Sequence, residues 1–200
     1  MSSNWYVEID ASEHISQGDI FLNGPIFTPI PTLKYSRTGA GRYNDWGLTG
    51  LNTNIGTASF VVMNQACDLE RDPPETVIVA QLHDMLSMEL EEGRTRKSFV
   101  SEVHAGKRPN YSIIGEYSGE FETIRMTYQI VDFSSIFTLP YALLADYSQN
   151  YGPRLRLNTP HRELLSQQFG YYYSRIGLPN EDFINKKQLE EVIKEAEKDS

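Results

Sequence analysis

Asn64, Gln65, Cys67, Asp68, Glu70 and Arg71 crowd into residues 64–71, directly after the apolar run Phe60-Val61-Val62-Met63. A buried strand that ends in polar groups is a rigid support for a site. Cys67 is the only cysteine of the chain. A thiolate nucleophile needs an imidazole close by, and His83, His104 and His161 are the candidates. The competing reading is a small residue buried just past a strand, and a lone thiol with no placed partner favours it. Asp68 and Glu70 suit acid and base roles. No histidine stands at ligand spacing beside them, so neither a metal nor a cofactor is expected. Turn capping and an ion pair with Arg71 are the simpler expectation, with Asn64, Gln65, Glu70 and Arg71 as binding residues.

Two further stretches carry charge at suggestive places. Gly39-Ala40-Gly41-Arg42 lies in a glycine-rich segment. It lacks the Lys and Ser or Thr of a phosphate-binding loop, but Arg37 and Arg42 can meet a phosphate or an acidic partner. His161 and Arg162 sit where a helix start favours anions, although Glu163 in the same turn also complements the dipole of an exposed first turn. Tyr171-Tyr172-Tyr173 would need interleaved basic residues to stack RNA bases, and only Arg175 is near.

The chain that must position these groups has 200 residues and a net charge of −9. That length buries a core without disulfides or structural metal. The acidic balance disfavours nonspecific nucleic-acid binding and allows a basic protein partner. One cysteine cannot form an internal disulfide, which fits the cytoplasm. Residues 1–10 show no basic and apolar leader pattern, and no apolar run is long enough to span a membrane.

The pattern predicts an arm over residues 1–17, then a strand over 18–22. Pro25, Pro29 and Pro31 mark an edge, bend or loop, because proline lacks a ladder donor. Residues 35–56 read as a long loop. The strand over 57–63 is expected to be buried on both faces, and 76–80 to form another strand. Helices are expected over 82–92 and 97–105, the second stopped by Gly106. Strands are expected over 111–114, 123–133 and 154–157, with a polar loop over 147–153. Residues 135–144 fit more than one element. Thr159 and Pro160 open a helix to about residue 176, and residues 185–198 form a last one. The order argues an α+β fold with a small, strongly bent antiparallel sheet and inserted short helices. Residues 1–158 make the β-rich part and 159–200 a helical extension packed on it.

Gln17-Gly18-Asp19-Ile20-Phe21, a loop, and then Phe60-Val61-Val62-Met63 resemble the start of the MazF/PemK-like toxins. The resemblance implies a small SH3-like (PemK-like) barrel, often dimeric, whose toxins cut RNA without metal. It places Arg42 in the loop that supplies the catalytic arginine. The sequence departs from that family in two places. No Arg-Pro pair precedes the apolar strand, and Gln81-Leu82-His83 stands where a Thr or Ser would follow the next one. A second resemblance covers most of the chain. Asn64-Gln65-Ala66-Cys67-Asp68-Leu69-Glu70, with Arg162-Glu163-Leu164-Leu165, Phe169 and Arg175-Ile176-Gly177-Leu178-Pro179, is similar to a family of uncharacterised bacterial proteins with a Cys-Asp-Leu-Glu signature.

Three expectations follow. The first is a bacterial cytoplasmic protein acting through protein contacts in a toxin–antitoxin or phage-defence (antiviral) system, with a homo-oligomer left open. The second is a metal-independent endoribonuclease using Arg42 with His83 or His104. The third is a hydrolase built on Cys67.

Overall fold

The computed structural model describes residues 5–29, 35–37, 46–48, 53–119 and 124–174. Seven antiparallel strands form one sheet in the order β1-β9-β2-β5-β6-β8-β7. They are β1 (Tyr6–Ile9), β2 (Asp19–Pro29), β5 (Thr53–Val62), β6 (Thr76–Asp84), β7 (Tyr111–Ile114), β8 (Gln129–Pro140) and β9 (Arg154–Leu157). A separate two-stranded ribbon pairs β3 (Tyr35–Arg37) with β4 (Trp46–Leu48). Four described helices complete the fold: α1 (Ala66–Arg71), α2 (Arg96–His104), α3 (Tyr141–Tyr151) and α4 (His161–Ser174). No described helix is long and apolar enough to cross a membrane.

β5 explains the two-layered core. Its residues alternate between faces with the period of two that any strand has. Val61 and Met63 join one apolar cluster, with Leu82, Val131, Phe133, Leu155 and Leu165. Phe60 and Val62 join the other, with Ile15, Leu69, Val77, Val79, Leu139 and Leu144. α4 packs on the first through Leu165, Phe169 and Tyr172. α1 and α3 close the second through Leu69, Leu144 and Ala145. The expectation of a central strand buried on both faces therefore holds for its apolar end, Phe60 to Met63, whereas Thr57 is exposed.

The sheet is bent, as expected, but it does not close into a barrel through its ladder. Among the described residues β1 pairs only with β9, and β7 only with β8. Side chains bring the two edges together instead. The Tyr6 hydroxyl donates to the Gly115 carbonyl at 2.5 Å, and the Tyr6 and Tyr117 rings meet edge to face.

Several local expectations are corrected. The arm contains β1, because Tyr6 and Ile9 are buried against the core. The helix expected over 82–92 is instead the end of β6 and a turn. Leu82 pairs with both Ser59 and Val131, and the Asp84 carboxylate accepts the N–H groups of Leu86 and Ser87, which ends the strand. Between Ile124 and Tyr128 the alternation yields only a single bridge, Tyr117 with Met126; the strand proper starts at Gln129. The loop expected over 147–153 is mostly the continuation of α3. Part of the long glycine-rich loop is strand: Thr53–Gly56 already belongs to β5. The last helix, over 185–198, lies outside the described residues.

Pro25 and Pro29 sit as an edge requires, and Pro31 lies outside the described residues. β2 touches β9 only at Asp19 and Ile20, so at Pro25 and Pro29 it has β5 on one side and no described strand on the other. β6 likewise joins β5 only from Ser59 onward. The halves of β2 and β5 over residues 24–29 and 53–58 thus leave the sheet as a two-stranded ribbon. A bulge marks the exit: Phe21 faces Phe60, but Gly24 faces Ala58. Asn23 takes a left-handed φ of 54° there, a conformation asparagine tolerates better than most residues. Gly24 lets the ribbon cross the Phe60 ring, since a β-carbon would lie 2.5 Å from Cε1.

Candidate functional site

The polar segment after β5 folds as α1, not as the expected turn. Asn64 is a latch between strands: its Oδ1 accepts the Ile78 N–H at 2.6 Å, beside the Met63 N–H bond to the Ile78 carbonyl. The Gln65 carbonyl accepts the N–H groups of Asp68 and Leu69 as the helix begins. Leu69 is the buried anchor of the helix.

Cys67 is exposed, which corrects the expectation of a buried thiol. The helix turns Leu69 into the core and leaves Cys67 on the solvent side. Its Sγ lies 3.4 Å from Asp68 Oδ1 and 3.8 Å from Gln65 Oε1. No described imidazole is a hydrogen-bond partner of this thiol. The expected ion pair of Arg71 does not form among the described residues; Glu70 instead lies 3.8 Å from His14 Nε2.

The other candidates are dispersed. His104 is the exposed last residue of α2. His161 stacks on Trp5 with ring centroids 3.7 Å apart, and its Nε2 is buried without a partner; burial lowers its proton affinity. Arg162 pairs with its neighbour Glu163 at 2.8 Å. Arg42 lies outside the described residues. Among the described residues no group of His, Cys, Asp and Glu is arranged to hold a metal ion.

Two buried carboxylates, neither singled out by the sequence reading, organise the polar interior. The first is Asp19, fully buried between Arg154 and Arg156. Arg154 Nε donates to Asp19 Oδ2 at 2.6 Å, and its other donors reach the Ser148 hydroxyl and the carbonyls of Asp10, Glu13 and His14. The Ser16 N–H and the Arg156 guanidinium complete the acceptor set of Asp19. The signal was legible: Arg-Leu-Arg-Leu on a strand puts both arginines on one face and both leucines on the other. With the leucines in the core, the arginines required an anion opposite.

The second is Asp132, at a break in the β6–β8 ladder. Ala80 faces Ile136 but Gln81 faces Asp132, so residues 133–135 of β8 have no counterpart on β6. An odd insertion exchanges the faces of a strand. Val131 and Phe133 accordingly belong to one cluster and Phe137 and Leu139 to the other. The Asp132 side chain is 10% exposed. Its Oδ1 accepts the Ser134 N–H at 2.9 Å and the Ser134 hydroxyl at 2.5 Å, and its Oδ2 accepts the Ser135 hydroxyl at 3.1 Å. His83 Nε2 lies 3.9 Å from the same Oδ2. Asp132, His83 and Ser135 line an open depression of about 530 Å³ with Leu82, Asp84, Ser87, Met88 and Glu89.

This is not a nucleophile triad, because Ser135 donates to the carboxylate rather than to the imidazole. Asp84 at its rim is held below the usual carboxylate range by the Thr127 hydroxyl, with help from the backbone N–H groups it caps. Among the described residues no Lys or Arg lines the depression.

A third feature is apolar. Phe27 and Ile55 are direct cross-strand partners on the β2–β5 ribbon, and they are 38% and 75% exposed. No protein-family model matches the chain, and none of the curated proteins matches it.

Proposed function

We propose that this chain is a bacterial cytoplasmic protein that works through protein contacts, in a toxin–antitoxin or phage-defence system, and that its partner engages the β2–β5 ribbon. One observation carries the contact: Phe27 and Ile55 face solvent side by side on a ribbon with no further described strand on either edge. Such an edge invites a strand from another chain; main-chain bonds supply affinity and the outward side chains supply register. The net charge of −9 favours a basic partner and speeds its approach. The toxin–antitoxin setting is supported by the resemblance of Gln17–Phe21 with Phe60–Met63 to the MazF/PemK-like toxins. The ribonuclease alternative draws little support from His83, whose depression offers carboxylates and no described cation to a phosphodiester.

Purification of the tagged chain from its host at native expression tests the reading. The wild-type chain is expected to bring down a stoichiometric partner, or a second copy of itself. The Phe27→Lys/Ile55→Lys variant is expected to lose it while keeping its melting temperature. Retention of the partner by that folded variant refutes the assignment.

A further inference from the structure

The depression beside the β8 bulge belongs to β6 and β8 and is separate from the ribbon. Its volume is that of a small-molecule site, roughly 300–1,000 Å³. We infer that it binds the primary ammonium group of a small organic amine, held between Asp132 and His83. The inference does not rest on the protein-contact reading.

The geometry carries it. Ser134 and Ser135 hold the Asp132 carboxylate in place from the bulge side. His83 Nε2 stands 3.9 Å from Oδ2, too far for a hydrogen bond between them. In its neutral Nδ1–H tautomer His83 presents Nε2 as an acceptor, and one donor atom about 2.8 Å from Nε2 and from Oδ2 would bridge the separation with an angle of about 90° at the donor. A tetrahedral ammonium nitrogen presents three N–H bonds about 109° apart and reaches both acceptors with each hydrogen bond bent by only about 10°. The charge around the site agrees. Asp84 and Glu89 add negative potential at the rim. Asp84, whose oxygens receive Leu86 N–H, Ser87 N–H and the Thr127 hydroxyl, adds to the negative field of the site. Arg96 is turned onto the carbonyls of Leu86 and Met88. Leu82 and Met88 give the methylenes of an amine an apolar wall.

Titration of the full chain with n-butylammonium and with tetramethylammonium, followed by the His83 ring resonances and by calorimetry, tests the site. Tetramethylammonium carries the same charge without an N–H donor. n-Butylammonium is expected to shift the His83 signals saturably, with tetramethylammonium at least about tenfold weaker. Asp132→Asn and His83→Phe are each expected to weaken n-butylammonium by about tenfold or more. Equal responses to the two cations would reduce the site to a diffuse negative field and overturn the inference. So would an absence of saturation, or wild-type binding by His83→Phe. Because His83 is part-exposed at the rim, that variant decides the matter even if Asp132→Asn disturbs the bulge.

Discussion

Asp19 and Asp132 are both buried carboxylates on inner strands of the same sheet, and they are satisfied in opposite ways. Asp19 is sealed by two guanidiniums and a backbone N–H, and Arg154 has every donor in use. Asp132 is held by hydroxyls and one N–H, with an imidazole just out of reach and an open depression in front. A buried charge whose partners are complete is a fastener. A buried charge whose partners leave one direction open retains capacity for a ligand. The fastener ties the segment from Asp10 to Ser16 onto β9, whereas the other group faces outward from the break in the β6–β8 ladder.

That contrast is broken most forcibly at Asp19. Asp19→Asn leaves two guanidiniums together without their counter-charge and is expected to cost about 3–5 kcal/mol in urea unfolding. Asp132→Asn keeps most of its hydrogen-bonding shape and is expected to cost about 1–3 kcal/mol. Equal losses in the two variants would erase the distinction between fastener and site. Gly24→Ala, tested in the same way, drives a methyl into the Phe60 ring and is expected to cost about 1–3 kcal/mol.

A smaller effect sharpens the comparison through pH. Burial lowers the proton affinity of His161 in the folded chain, so the unfolded chain binds the proton first as pH falls through about 6.5. The stability that the neutral ring contributes is complete above that range and is lost as pH drops toward the depressed folded value. His161→Phe, which keeps a ring on Trp5, is expected to flatten this part of the stability–pH curve. The smallest change is expected at Cys67. Cys67→Ala should alter stability by less than about 0.5 kcal/mol, and the native thiol should react readily with a disulfide reagent.

The strands were legible where period and composition agreed. Phe60 to Met63, Val77 to Val79 and Arg154 to Leu157 gave their elements directly, because apolar, β-branched or alternating runs have few other uses. The segment from Leu82 to Leu90 misled because its apolar spacing suits a helix as well; the outcome was decided by pairing with Ser59 and Val131 and by the Asp84 turn, which are tertiary facts. The polar residues after β5 drew attention by their crowding, yet crowding does not say which way a side chain points. One helical turn put Leu69 inside and Cys67 outside. Asp132 was hidden for a different reason. Its meaning comes from a three-residue mismatch between two strands, and a bulge is a property of the pair rather than of either sequence.

The β2–β5 ribbon is the proposed contact face. A photo-crosslinking residue placed at Ile55 in host cells, compared with one at exposed Glu92 on the β6–α2 connection, measures this directly. The account predicts a discrete crosslinked species from position 55 alone, abolished by Phe27→Lys. The same species from both positions, or one that survives Phe27→Lys, would contradict it.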